Sequence, residues 1–414
     1  MRLQAPIPTF APKKLTMTKP PKIWLSSPHM GPNEEKYVSE AFASNWIAPL
    51  GPHVNGFEAD ISQYLQGSQE EAMHTAVLTS GTAAIHLGLV MLGVQPGDAV
   101  LTQSFTFCGS ANPIAYLGAR PVFIDSEPST WNMNPQALRA ALEAYRQKGQ
   151  MPKAIIPVHL YGMPARMDEI QALAREYEVP ILEDAAEALG STYGSRPCGS
   201  LGEIAALSFN GNKIITTSGG GALVSPFGKY AEQARFLSTQ ARDQAPHYQH
   251  SQIGYNYRMS NVVAGIGRGQ MEVLDERVAA RRANNQRYRR YFEGNSGITF
   301  QNEPSPDFYS NYWLTTILVN PQHTGGLTRE DLRLGLEQYN IEARPLWKPM
   351  HLQPVFAEAP YYTTEGLCPQ STPQNSVSDH LFEQGLCLPS GSNLTENDWQ
   401  RIESALDEVL DYRL

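Results

Sequence analysis

From residue 75 onward, short apolar runs alternate with stretches of helical spacing. Thr75–Leu78, Ala99–Thr102, Pro121–Ile124, Ala154–Val158, Ile181–Glu183, Ala205–Phe209 and Ala222–Val224 read as strands. Ala83–Leu92, Pro135–Lys148, Met167–Tyr177 and Lys229–Thr239 read as helices. Continuous apolar strands between helices predict an α/β protein whose mainly parallel sheet is covered on both faces. The last two runs are joined too closely for a helical crossover, so this pair is expected to be antiparallel.

Glu34–Phe42 has helical spacing, whereas Ser44–Pro52, with its prolines and glycine, reads as a structured loop. Its apolar Trp46, Ile47 and Leu50 suggest that it folds onto the core or lines a pocket. After residue 227 the pattern changes. A long helical region is expected over Asn261–Phe292, a half-buried strand over Tyr312–Val319, and an irregular proline-rich loop over 341–355. Thr328 and Thr395 stand where helix caps belong. This predicts a tail over 1–21, a large α/β domain over 22–275 and a smaller α+β domain over 276–414.

The totals narrow the class. The chain has 414 residues, 41% hydrophobic and 18% charged, which fits a soluble globular protein. A net charge of −9 argues against a nucleic-acid partner. No apolar run is long enough for a membrane span. The four cysteines have no CxxC spacing, so they predict reduced thiols, no metal motif and a cytoplasmic setting. The Pro- and Lys-rich residues 1–21 lack a signal-peptide core and are expected to be disordered.

Candidate chemistry clusters at predicted strand ends. Lys213 follows an Asn-Gly-Asn turn between two apolar runs. Such a loop suits either a solvated hairpin lysine or an amine held against a ligand. Ser80-Gly81-Thr82 opens a helix, where free N–H groups and the helix dipole favour an anion; the same residues also serve as an ordinary cap. Asp184 ends a strand, where a carboxylate could hold a proton on a heteroaromatic nitrogen or cap a helix. Phe107 could stack on a planar ring or pack in the core, and Ser208 could donate to phosphate. His159 ends another strand, in either a structural or a positioning role. A lysine, an anion seat, a ring stacker and a carboxylate together fit pyridoxal 5'-phosphate.

The residues also carry a resemblance. TSGTAAIHLGL (79–89), SFTFCGSANPIAYLGARPVFID (104–125), EDAAEALGSTYG (183–194), SFNGNKIITTSGGGALVS (208–225), GYNYRMSNVVAGIGRGQ (254–270), ARPLWKPMHLQPVF (343–356) and LPSGSNLT (388–395) occur in that order. Over residues 23–412 the chain resembles the DegT/DnrJ/EryC1/StrS sugar aminotransferases of fold type I, with a seven-stranded type of sheet. The resemblance implies pyridoxal phosphate as cofactor, Lys213 as its covalent partner and Asp184 at its ring nitrogen. It implies Phe107 as the stacker, and Gly81, Thr82 and Ser208 at the phosphate. It implies Asn256 reaching the phosphate of a neighbouring subunit, hence a homodimer. Glutamate would be the amino donor and 2-oxoglutarate the product. Glu187 replaces a frequent Gln and points to members that aminate carbon-4 of a sugar. The loops at 44–52 and 344–356 resemble those of enzymes acting on a UDP-linked 4-keto-6-deoxy-N-acetylhexosamine. GDP-perosamine formation or carbon-3 amination are the alternatives, with a non-catalytic regulator as a further one; a dehydratase of this scaffold would carry histidine in place of Lys213. Trp347, Lys348 and His351 are the expected sugar-nucleotide contacts.

Overall fold

A computed structural model describes residues 20–68 and 70–411; residues 1–19 of the expected tail lie outside them. Seven strands build the main sheet: β1 His74–Leu78, β2 Ala99–Gln103, β3 Arg120–Ile124, β4 Ala154–Ile156, β5 Leu182–Asp184, β6 Ile204–Ser208 and β7 Gly221–Ser225. Their order is β1-β7-β6-β5-β4-β2-β3, with β4 and β5 joined by the parallel bridges Ile155–Ile181 and Val158–Asp184. Only β7 runs antiparallel to its neighbours, β1 and β6.

Successive residues sort to opposite faces, as strand geometry requires. Leu101, Val122, Ile124 and Ile155 pack on helices Pro135–Gln147 and Met167–Tyr177. Val100, Ile156, Ala206 and Leu223 pack on helices Gly81–Met91 and Gly228–Ser238. Both faces are dry, which explains why these strands read as unbroken apolar runs rather than alternating ones.

A second, four-stranded antiparallel sheet joins Ile298–Phe300, Thr315–Val319, Gly385–Leu388 and Arg344–Pro345 in that order. Helices Arg329–Gln338 and Glu396–Asp411 cover it, and Thr328 closes a capping box with Asp331. Thr395 makes the matching contact with Asp398 Oδ2, at 2.7 Å.

Several expectations change. The helix foreseen over Asn261–Phe292 is two helices, Asn261–Met271 and Leu274–Tyr291. The strand Thr315–Val319 is buried at four of its five positions, because helices cover one face and the large unit the other. The loop at Trp46, Ile47 and Leu50 does not fold onto the core; all three side chains are exposed. After it comes a helix with no strong sequence signal, Pro52–Gln66, whose first N–H groups bond to the distant Asn261 Oδ1. Tyr361–Thr363, expected in the smaller unit, instead adds to the main sheet in parallel beside β3. Conversely, Ile23 pairs with Ile341 of the smaller unit.

Candidate active site

Open α/β sheets bind ligands at the carboxyl ends of their strands. Here those ends surround a cavity of about 280 Å³. Gly81, Thr82, Phe107, Asp184, Glu187, Ser208, Lys213 and Trp347 all line it.

The lysine loop runs from Ser208 at the end of β6 to Gly221 at the start of β7. It is not a solvated hairpin. Phe209, Ile214 and Ile215 are buried in the core beneath it. Its backbone is tied by Lys213 N–H to Asn210 O at 3.0 Å and Thr217 N–H to Phe209 O at 3.0 Å. The Gln270 side-chain oxygen accepts from Thr216 N–H at 3.1 Å. With its chain held in this way, Lys213 directs its amine to 3.5 Å from Glu187 Oε1 and 4.3 Å from the Trp313 ring centre.

Opposite stands the helix Gly81–Met91. Ser80 Oγ accepts from Ala83 N–H at 3.0 Å, and Ala84 N–H closes on Ser80 O. That leaves the Gly81 and Thr82 N–H groups without helical partners. A Cβ on Gly81 would lie 3.0 Å from Ser208 Cβ, so glycine brings this helix end close against the end of β6. At Gly221 the fit is closer still: an added Cβ would sit 2.3 Å from Gly81 N.

Asp184 is buried at the cavity floor. Oδ2 accepts from Ser110 Oγ at 2.6 Å and Oδ1 from Ala186 N–H at 3.1 Å. Burial raises its pKa, while those bonds and the charge of Lys213 act against the rise. Burial also raises the Glu187 carboxyl, against the pull of Lys213 and of the Tyr161 N–H. Phe107 is 56% exposed at the mouth and meets Trp347 edge-on, with ring centres 5.0 Å apart.

Four expected residues do not line this chain's cavity. His159 is fully buried and is not part of the cavity lining. Its Nε2 meets Glu183 Oε1 at 2.8 Å and its Nδ1 accepts from Ala165 N–H at 2.9 Å, so both ring nitrogens are taken up and the imidazole is a buried strut. Glu183 also accepts from the backbone N–H groups of Gly199, Leu201 and Gly202, and Cys198 lies alongside. His351 is not a cavity residue either. It joins Ser104 Oγ at 2.6 Å, Ser371 Oγ at 2.8 Å and Asp379 Oδ1 at 2.9 Å, and stacks on Tyr361 at 3.7 Å. Histidine at a strand end or in a loop shows the residue type, not the side-chain direction. Lys348 is exposed outside the lining. Asn256 is also exposed and outside this chain's cavity, although its neighbour Tyr257 accepts from Thr79 N–H at 2.8 Å beside the anion seat. Trp313, Ser110 and Asn212 line the cavity or bond to its lining without having been foreseen. Asn212, beside Lys213, was the one with a sequence cue.

The donor set fits pyridoxal phosphate: free N–H groups and Ser208 suit the phosphate, the buried Asp184 suits a cationic ring nitrogen, and an amine and an aromatic face lie between them. A fold-type I α/β sheet with these groups at its carboxyl edge defines a pyridoxal phosphate-dependent transferase. The chain belongs to the DegT/DnrJ/EryC1/StrS aminotransferase family, whose family model matches residues 28–407. It is a pyridoxal phosphate-dependent sugar aminotransferase. It is 51% identical to EpsN of Bacillus subtilis (strain 168), by name a candidate pyridoxal phosphate-dependent aminotransferase, over 93% of this chain and 95% of that one. It is 35% identical to the GDP-perosamine synthase of Caulobacter vibrioides (strain ATCC 19089 / CIP 103742 / CB 15), covering 95% of this chain and all (100%) of the other. A crystal structure of a DegT DnrJ EryC1 StrS aminotransferase from Brucella abortus superposes with a TM-score of 0.80 at 28% identity, over 91% and 94% of the two chains. Among the described residues no helix is long and apolar enough to cross a membrane, and Cys108, Cys198, Cys368 and Cys387 are all free thiols.

Proposed function

We propose that the protein transfers the amino group of L-glutamate to carbon-4 of a nucleotide-linked 4-keto-6-deoxy sugar, for polysaccharide biosynthesis. A UDP-linked N-acetylhexosamine is the first substrate in this reading. The observation that carries it is Glu187, which sets a carboxylate oxygen 3.5 Å from the lysine amine.

When bound, pyridoxal phosphate supplies the carbonyl that carries the amino group and a ring that delocalises negative charge. Gly81, Thr82 and Ser208 hold its phosphate, Asp184 keeps a proton on its ring nitrogen, and Phe107 covers the ring. Lys213 is the residue that would bond it covalently. Once displaced, the Lys213 amine takes the proton from the α-carbon of glutamate and later returns one at the sugar carbon. 2-Oxoglutarate leaves between the two halves. Glu187 orients the freed amine.

Two copies complete the site in this reading. Asn256 is exposed, as a residue that serves a partner's phosphate must be. The exposed Phe42, Trp46, Ile47, Leu50 and Ile253 give a homodimer apolar surface to cover.

A GDP-linked substrate is the second reading, favoured by the GDP-perosamine synthase relative. Nitrogen-15 glutamate with UDP- and GDP-linked 4-keto-6-deoxy sugars decides between them. Label in a 4-amino UDP-sugar is expected. Label only in the GDP product would replace the UDP reading, and label in neither would end the carbon-4 reading.

A further inference from the structure

The Lys213 amine has a neighbour that the reaction described so far leaves unused. The centre of the Trp313 ring lies 4.3 Å from Nζ. Trp313 is 1% exposed and lines the cavity. It is held from three sides. Its indole Nε1–H donates to Asn212 O at 2.6 Å, its backbone N–H donates to Asn311 Oδ1 at 2.8 Å, and its carbonyl accepts from Arg281 Nη1 at 2.5 Å.

These bonds close a ring. Ser26 Oγ donates to the same Asn212 O at 2.7 Å and accepts from Arg281 Nη2 at 2.9 Å. Asn212 directly precedes Lys213, and Arg281 also reaches Lys213 O at 3.4 Å. One circuit, drawn from four distant parts of the chain, therefore fixes both the indole and the main chain that carries the amine.

The circuit runs through a buried guanidinium. Among the described residues, the partners of Arg281 are backbone carbonyls and a hydroxyl, and its Nε has none. Burying a cation without a counter-charge is costly. A tryptophan needed only as filler could be replaced by packed aliphatic side chains without such a strut. What the strut adds is orientation of an aromatic face. That face attracts an ammonium, and the attraction is stronger in a water-poor site.

We propose that Trp313 is a catalytic residue, whose indole face holds Lys213 in its ammonium form between the two proton transfers of each half-reaction. In the donor half, the C–H bond at the α-carbon of glutamate breaks. Its proton would join the lone pair on Nζ, and the bound cofactor would take up the electron pair. The ammonium would then rest between Trp313 and Glu187, with Asp184 and the Arg281 guanidinium as the other nearby charges, until it gives that proton to the carbon derived from the cofactor's carbonyl. This rests on Lys213 being the lysine that bonds the cofactor.

Two variants separate face from bulk. Trp313→Phe keeps an aromatic face, and Trp313→Leu keeps apolar bulk alone. In cofactor-free protein with lysine labelled with carbon-13 at Cε, the Lys213 ε-protons should resonate upfield in the wild type, less so in Trp313→Phe, and not in Trp313→Leu. In single turnovers with glutamate, Trp313→Leu should bleach the visible band about tenfold more slowly and Trp313→Phe roughly threefold, as loss of a buried cation–π contact predicts. The isotope effect with α-deuterated glutamate should grow only in Trp313→Leu. Equal rates and isotope effects in the two variants would overturn the inference. So would a wild-type spectrum without the upfield shift, a measurement that stands even if Trp313→Leu does not fold. Lys213→Ala tells the two readings apart: if it loses the visible band while the Trp313 variants behave alike, only this inference falls. If Lys213→Ala keeps the band, the reading beneath it falls as well.

Discussion

The backbone N–H of Tyr161 donates to Glu187 Oε2 at 2.7 Å, from a residue in the left-handed region at φ 55°. The same tyrosine reaches the other wall of the cavity, where its phenol oxygen accepts Trp347 N–H at 3.0 Å. A fully buried side chain holds this uncommon backbone in place, so the Glu187 carboxylate cannot swing away from Lys213.

Tyr161→Phe removes the acceptor for Trp347 N–H and leaves the backbone turn intact. A cost of about 1–3 kcal/mol in stability is expected for the orphaned donor, read from denaturant melts. Trp347 stands at the mouth, so KM for the keto sugar should rise more than KM for glutamate. Equal changes in the two would show that the contact has no bearing on the sugar.

Asp184→Asn should lower turnover by orders of magnitude while making the cofactor-free protein more stable at pH 7. Burial raises the Asp184 pKa in the folded state. A carboxyl raised above its unfolded value, near ~3.9, contributes stability that is complete below that value. That contribution is lost as pH rises through the folded pKa. The advantage of the asparagine should therefore be present at neutral pH and fade towards pH ~4. Melting temperatures of the two cofactor-free proteins across that range check it.

His351→Ala should loosen the loop that carries Trp347. It removes bonds to Ser104, Ser371 and Asp379 at once, at a cost of about 2 kcal/mol. Burial pushes the Asp379 carboxyl up, but bonds from His351, Ser371 and Ser376 outweigh it and leave it below the ordinary range. A depressed carboxyl stabilises the fold above its unfolded pKa, and that stability is lost as pH falls through the folded one. The acid-side loss should flatten in His351→Ala, while the visible band of the bound cofactor stays unchanged. Loss of the band instead would mean that His351 supports the cofactor itself.

Much of this was legible because both faces of the main sheet are dry. Val100 and Leu101 serve opposite layers, yet both must be apolar, so each strand shows as a run. The lysine loop was legible from its turn residues and from Lys213. Helix Pro52–Gln66 was not, since its cap is Asn261, a residue more than 200 positions away. Trp313 gave no signal because an aromatic at a strand entrance has the same pattern whether it packs or faces a lysine. His159 and His351 were ambiguous in the sequence for a related reason. Glu183 and Asp379, which meet their Nε2 atoms, come from other parts of the chain, and only the fold shows that these, with Ala165 and Ser104 at the Nδ1 atoms, take up both ring nitrogens.

Gly221→Ala tests the anion seat. The added Cβ would lie 2.3 Å from Gly81 N and from Ser80 C, both backbone atoms that cannot rotate aside. Overpacking of this kind costs about 1–3 kcal/mol. The displaced helix start should weaken pyridoxal phosphate binding, read by absorbance titration. Unchanged affinity would remove Gly81 and Thr82 from the phosphate site.

The late strand Tyr361–Thr363, paired beside β3, has a consequence during synthesis. All seven strands have left the ribosome once residue 225 has emerged, yet the β3 edge must wait for a partner that begins only at residue 361. An uncovered edge is a template for pairing with another nascent chain. On a polysome, that interval is when this protein is most exposed to its own neighbours, and slower elongation between β7 and residue 361 would lengthen it.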